Sequence, residues 1–172
     1  MAIPDLVGKD VLLVPMRQDD IHVLVAWLNA PGPRALAGGR DVARAEVMRR
    51  WPSEFFDDAY PQKGRAFRIE RRGEVLGAAI YHPIFGAPRA SRLELVPAPG
   101  ITAEQASDAL DALARYVFGE HHVREAWAEL PEADELGLAA FRAAGFAARG
   151  KTADGARAVL RRAAPPRSKA EA

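Results

Sequence analysis

The spacing of apolar and polar positions changes several times along this chain, and each change predicts a new element. Val11 to Met16 is a short apolar run rich in β-formers, a strand that Pro15 confines to an edge or an end. Asp19 and Asp20 carry N-cap chemistry, and behind them Ile21, Leu24, Val25 and Leu28 recur at helical spacing. The breaker Asn29-Ala30-Pro31-Gly32-Pro33 stops that helix. Asp41 to Trp51 reads as a second helix ending before Pro52, and Asp57 to Pro61 reads as loop.

The period then becomes two. Phe67 and Ile69 alternate with Arg68 and Glu70, Arg72-Gly73 turns the chain, and Val75 to Tyr81 returns, which predicts a β-hairpin. Ser91 to Val96 predicts the next strand, stopped by Pro97-Ala98-Pro99-Gly100. From Thr102 or Ala103 to about Phe118, Ala106, Leu110, Leu113 and Val117 trace one stripe of a long amphipathic helix, with its acids towards the N-terminal half. A strand over 125–130, a helix from Asp134 to Ala144 ended by Gly145, and a hairpin across Gly155 complete the pattern.

Composition narrows the picture. With 172 residues and 49% hydrophobic content the chain suits one domain, taken as residues 1–162, followed by a tail over 163–172 expected to be disordered. Lys plus Arg total 24 against 23 Asp plus Glu, so no overall field draws in nucleic acid or an anionic membrane, and neither partner is expected. Without cysteine there is no disulfide framework, no thiolate nucleophile and no Cys-type zinc site. No leader-like or membrane-spanning run is present, and a cytoplasmic protein is expected.

Three segments carry a family resemblance. Trp27-Leu28-Asn29-Ala30-Pro31 resembles the end of the first helix in the GNAT superfamily of N-acetyltransferases. Ala112 to Phe118 with Arg124 to Glu129 resembles that fold's central helix and following strand, and Asp134 to Phe146 resembles its pattern Asn-x-x-Ala-x-x-x-Tyr-x-x-x-Gly-Phe. The branches approached are those that acetylate ribosomal-protein N-termini and aminoglycoside-type amines. The resemblance implies an α/β (α+β) fold, a mixed sheet of about six to seven strands flanked by about four helices. It further implies acetyl-CoA as co-substrate, a primary amine on a small molecule or a protein N-terminus as acceptor, and a homodimer, for which the strand from Ala156 to Arg161 offers an edge.

The resemblance also assigns positions. Leu95 and Val96 would meet the pantetheine arm, and the turn Gly100, Ile101, Thr102, Ala103, Glu104, Gln105, Ala106 would hold the pyrophosphate at a helix N-terminus. Two departures count against it. Glu104 replaces a glycine where its charge repels phosphate, and Phe141 stands where many members place the tyrosine that protonates the leaving thiolate.

Glu94 is the candidate base, its pKa expected to rise in a partly buried cleft, unless it simply faces solvent or pairs with Arg92 or Arg68. Tyr81 and His82 would either replace the missing tyrosine or serve structure, and Trp27 and Trp51 would either wall an acceptor cleft or fill the core. His121-His122 terminates a helix and has no third ligand for a metal. Two functions stand open: an N-acyltransferase, and a catalytically inactive GNAT-like binding or scaffold protein that has lost its CoA site.

Overall fold

The computed structural model describes residues 2–167. Its strands are β1 (Leu6–Val7), β2 (Leu12–Pro15), β3 (Arg65–Arg71), β4 (Glu74–Tyr81), β5 (Ala90–Pro97), β6 (Glu125–Pro131), β7 (Ala147–Lys151) and β8 (Arg157–Ala163). Its helices are α1 (Ile21–Leu28), α2 (Pro31–Leu36), α3 (Arg44–Arg50), α4 (Ala103–Glu120) and α5 (Glu135–Ala143). All strands join one sheet in the order β1-β2-β3-β4-β5-β6-β8-β7. Only β5 with β6 is parallel, because α4 crosses over between them and returns the chain in the same direction.

Strand alternation sends successive side chains of β4 to opposite faces and so builds two cores. Ala79 and Tyr81 pack with Leu13, Phe67 and Leu93 beneath Leu110, Leu113 and Phe141 of α4 and α5. Ala78 and Ile80 pack with Met16 and Val96 beneath Leu24, Val47 and Trp51 of the α1 and α3 layer. On the far half of the sheet β6 turns Ala126, Ala128 and Leu130 inward and leaves Glu125, Trp127 and Glu129 half-buried on the other face.

A carboxylate fixes how α4 meets the first strands. The backbone N–H groups of Lys9, Asp10 and Val11 donate to Asp108 at 2.8, 2.7 and 3.0 Å. Residue 8 has to be glycine for this, since a Cβ there would lie 2.7 Å from an Asp108 oxygen. Asn29, in the first of the family-like segments, does similar work. Its side chain donates to the Val42 carbonyl and accepts from the Val42 N–H, tying the loop after α2 to the end of α1.

Several sequence expectations change. The sheet has eight strands and the layers five α-helices, more than the six to seven and four expected. The breaker does end α1 at Leu28, and it also opens a second helix, because Pro31 takes the first position of α2, where its fixed φ fits and its missing N–H costs nothing. The terminal strand is no edge: β8 lies between β6 and β7, so the exposed edge on that side is β7, which carries Arg149 and Lys151. Residues 164–167 have no regular structure, and the rest of the expected tail lies outside the described residues. No described helix is long and apolar enough to cross a membrane.

Replacing Asp108 by Ala strands three donors at once and should cost about 1–3 kcal/mol, read as a lower urea midpoint at unchanged m-value. Asn at the same position, keeping one acceptor oxygen, should fall between the two.

Candidate functional site

The site begins where the sheet opens. β5 and β6 pair at Ala90 with Glu125, Ser91 with Ala126 and Arg92 with Trp127, and no pairing follows. The His82 N–H donates to the Arg92 carbonyl, so the backbone of Arg92 faces β4. By the alternation of an antiparallel ladder Glu94 and Val96 face β4 as well, and Leu95 presents its N–H and C=O to the gap where the strands part. Of the two residues expected to line a pantetheine arm, Leu95 has the geometry. Val96 is turned into the second core.

Glu94 sits two residues past the last β5–β6 pair. Its Oε2 accepts from the Trp51 indole N–H at 3.0 Å and contacts His82 Nε2 at 2.8 Å. Arg92 Nη2 lies 3.1 and 3.3 Å from the two nitrogens of that ring. A guanidinium only donates, so the arrangement suits a His82 ring whose Nε2–H donates to Glu94. Neither expected partner of Glu94, Arg92 or Arg68, pairs with it directly; Arg68 is bound to Asp20 and Glu70. The expected upward pKa shift is also reversed. Burial does push the Glu94 carboxyl up, but its hydrogen bond with His82 and the charges of Arg50 and Arg92 outweigh burial and hold it below the usual range. The Glu94 side chain keeps 27% of its surface open, enough for water to reach it.

The remaining candidates separate. His82 is buried beside Glu94, its ring edge-on to Phe55 at 5.5 Å. Tyr81 points to the opposite face, where its hydroxyl donates to the Pro61 carbonyl and lies 3.3 Å from His121. Burial, aided by Tyr116, pushes its pKa far up. It therefore lies outside the Glu94 cluster. Trp51 is fully buried and reaches the site only through its N–H, whereas Trp27 is half-buried at the margin of the same core. Phe141 is fully buried against Phe146, ring centroids 5.1 Å apart, so it belongs to the α5 core rather than to an open surface.

The segment that covers Glu94 is held by an arginine. Arg65, fully buried, donates to the carbonyls of Met16 and Phe55 at 2.6 and 2.7 Å and to Asp58 at 2.8 Å, while Arg17 approaches Asp58 from outside at 3.2 Å. Gly64 makes this possible. Its φ is +114°, and a Cβ would strike the Phe55 ring at 2.6 Å. Nothing local in the sequence marks Arg65 out from Arg68 and Arg71 of the same strand, because its meaning depends on a partner seven residues away.

At the other end of the gap the chain passes Gly100, at φ +92°, into α4. The Thr102 hydroxyl accepts from the Gln105 N–H and the Gln105 side chain accepts from the Thr102 N–H, a reciprocal cap. Among the described residues this cap leaves the N–H groups of Ala103 and Glu104 open at the helix N-terminus. Ile101 and Ala106 are buried. Beside this cap runs a groove of about 880 Å³ lined by Lys9, Asp10, Arg71, Glu104, Asp111 and Ala143 among others. Arg71 pairs with Asp10, Asp111 with Arg115 and Arg162, and Asp108 is engaged by the backbone. Lys9 and Glu104 are left as the groove's unmatched charges.

No protein-family model matches the sequence, and no curated protein does. Solved structures do match. AAC(6')-Ib in complex with acetyl-CoA superposes with TM-score 0.69 at 18% identity, over 90% of this chain and 94% of that one. A GNAT-family acetyltransferase from Bacillus anthracis gives 0.66 at 14% identity, over 92% and 96%. FdhC, a nucleotide-linked sugar GNAT, gives 0.75 at 10% identity, over 94% and 91%. The fold is that of the GNAT acetyltransferases. Identities this low carry the GNAT architecture across and leave acceptor and activity to the residues of the site.

Asp58→Asn leaves a buried guanidinium without its counter-charge and should cost about 3–5 kcal/mol at neutral pH. Burial raises the Asp58 pKa, but hydrogen bonding and charge from Arg65 and Arg17 outweigh it, so its folded value lies below the ordinary one. The pair therefore stabilises above the ordinary carboxylate range, and that stability is lost as pH falls through the folded value. Urea unfolding of wild type and variant should converge as pH falls through the folded Asp58 value, below the ordinary carboxylate range.

Proposed function

We propose that the chain is an N-acyltransferase that moves acetyl from acetyl-CoA to a primary amine of a small molecule or a protein N-terminus. The observation that supports this most is the succession of three features along β5 and the turn after it. Glu94 stands where β5 leaves β6, Leu95 turns its backbone polar groups into the opening, and the chain then passes Gly100 to the N-terminus of α4, beside which the groove lies. AAC(6')-Ib is described with acetyl-CoA on the same architecture.

In this reading the pantetheine amides pair with Leu95 as a further strand would, and the pyrophosphate meets the N–H groups of Ala103 and Glu104 with Lys9 nearby. The neutral amine nitrogen attacks the thioester carbonyl carbon directly. A chain without cysteine has no thiol to carry an acyl intermediate. As the C–N bond forms, the ammonium proton passes through water to Glu94, and as the C–S bond breaks, the thiolate leaves and takes that proton back from Glu94 through water to become the free CoA thiol, which returns Glu94 to its ionised form. Amide and CoA are the products. A thiol with a pKa of about 8.5 leaves as its anion at modest cost, which makes the phenyl ring at Phe141 tolerable. With its pKa held down, Glu94 is ionised at neutral pH: a weak base, ready in every turnover. Holding the reactants in place supplies most of the acceleration.

The scaffold reading draws its support from the self-capped N-terminus of α4 and from Glu104. Calorimetry with acetyl-CoA separates the two. Binding at tens to hundreds of micromolar is expected, and Glu104→Gly, which removes the groove's unmatched negative charge, should tighten it by about tenfold. No heat at millimolar ligand for either protein would leave only the scaffold. Where transfer is detected, Glu94→Gln should lower kcat/KM by about a hundredfold with acetyl-CoA affinity unchanged. An unchanged kcat/KM removes the proton-relay role.

A further inference from the structure

The charges around Glu94 are unbalanced in a way that selects an acceptor class. Arg50, at the end of α3, lies over the Trp51 ring at 5.2 Å, and Trp51 donates to Glu94. Arg92 lies against His82 and 5.9 Å over the Trp127 ring, and His82 also contacts Glu94. Among the described residues neither guanidinium has a carboxylate within ion-pair distance, so two cations, the exposed Arg50 and the half-buried Arg92, share the neighbourhood of one carboxylate. Most acids of the covering segment are already committed. Asp41 pairs with Arg34, Glu46 with Arg40, Asp58 with Arg65 and Arg17, and Glu54 with Lys63. Asp57 accepts from the Ala59 N–H, and Glu129 sits two residues beyond Trp127 on β6, where β5 has already diverged.

A polycationic amine needs several uncommitted carboxylates around its reacting nitrogen, and this face offers few. Guanidinium groups over two indoles, Arg50 over Trp51 and Arg92 over Trp127, instead match the oxygens of a phosphate or carboxylate, which Arg holds in bidentate fashion. We propose that the acceptor carries an anionic group in addition to its amine, bound by Arg92 and Arg50, so that the amine is delivered to Glu94. This rests on the transferase reading for its chemistry, and it is tested by binding alone.

The full chain labelled with ¹⁵N has indole signals from three tryptophans, assignable by Trp→Phe substitution. Titration compares O-phosphoethanolamine, inorganic phosphate, ethanolamine and spermidine at low salt. O-Phosphoethanolamine should move the Trp51 and Trp127 indole signals with a Kd at least tenfold below that of ethanolamine, and inorganic phosphate should move the same signals. Arg92→Gln should erase that difference and Arg50→Gln should reduce it severalfold. Arg157→Gln, on exposed β8, should leave it unchanged. Spermidine binding more tightly than O-phosphoethanolamine, or no phosphate-dependent shift at those two indoles up to 50 mM on the order of the weakest useful site, overturns the proposal. Because acetyl-CoA is absent from the titration, this failure is distinct from a failure of the cofactor to bind.

Discussion

The parting of β5 from β6 is the constraint on which the rest of the molecule depends. Main-chain N–H and C=O groups are obligatory hydrogen-bonders, and a sheet that opens in its middle exposes them where they would normally be paired. Here the opening is tolerated because it is short and because β6 is fully satisfied on its other side by β8 along Glu125 to Pro131. The crossover through α4 is what sets the two strands parallel, and the Asp108 latch fixes where α4 lies. A fault in that latch would propagate to the width of the gap, which is how a carboxylate far from Glu94 bears on the site.

Around the gap, electrostatics and packing divide the work between the two faces. On the α4 face Tyr81, Tyr116 and His121 form an aromatic cluster with ring centroids 5.2–6.0 Å apart, and burial holds the His121 imidazole towards its neutral form. That is a core with polar tips. On the α1 and α3 face a titratable chain runs from Arg92 through His82 to Glu94 and ends on the indole of Trp51. The buried Trp51 indole fixes one oxygen of Glu94, the remaining exposure of that carboxylate gives it solvent, and the Arg65–Asp58 pair keeps the cover in place. Each element is modest alone, and together they hold an ionised carboxylate at the fork.

Sequence pattern reached the elements with strong periodicity and missed what depended on pairing across distance. The stripe of Ala106, Leu110, Leu113 and Val117 and the alternation of Phe67 and Ile69 needed only local spacing to be read. β1 has two residues and gave no periodic signal, and α2 was hidden because proline reads as a stop unless its position within the helix is known. Glu94 stood out as the lone acid of its strand, but the direction of its pKa shift depended on His82 and Arg50, which come from two other places in the chain. Tyr81 and His82 are adjacent in sequence and face opposite sides of β4, so naming them together as one site could not survive a strand's period of two.

The N-terminus of α4 shows why a degenerate motif and a folded helix are compatible. A glycine-rich turn leaves its N–H groups open for a phosphate, and water satisfies them when no ligand is present. This chain satisfies two of them itself through Thr102 and Gln105, which stabilises the helix by about 1 kcal/mol and makes α4 indifferent to any ligand. A pyrophosphate arriving there either accepts only the Ala103 and Glu104 N–H groups or displaces the Gln105 side chain and forfeits part of that cap. Lys9 and Glu104 line the same groove with opposite charges. In the proposed transferase reading, affinity for a CoA ester would therefore come mainly from the Leu95 edge, with little from the phosphate turn. The Glu94 end of the gap is the better-determined half, since the contacts among its carboxylate, the His82 ring and the Trp51 indole are made within the fold itself.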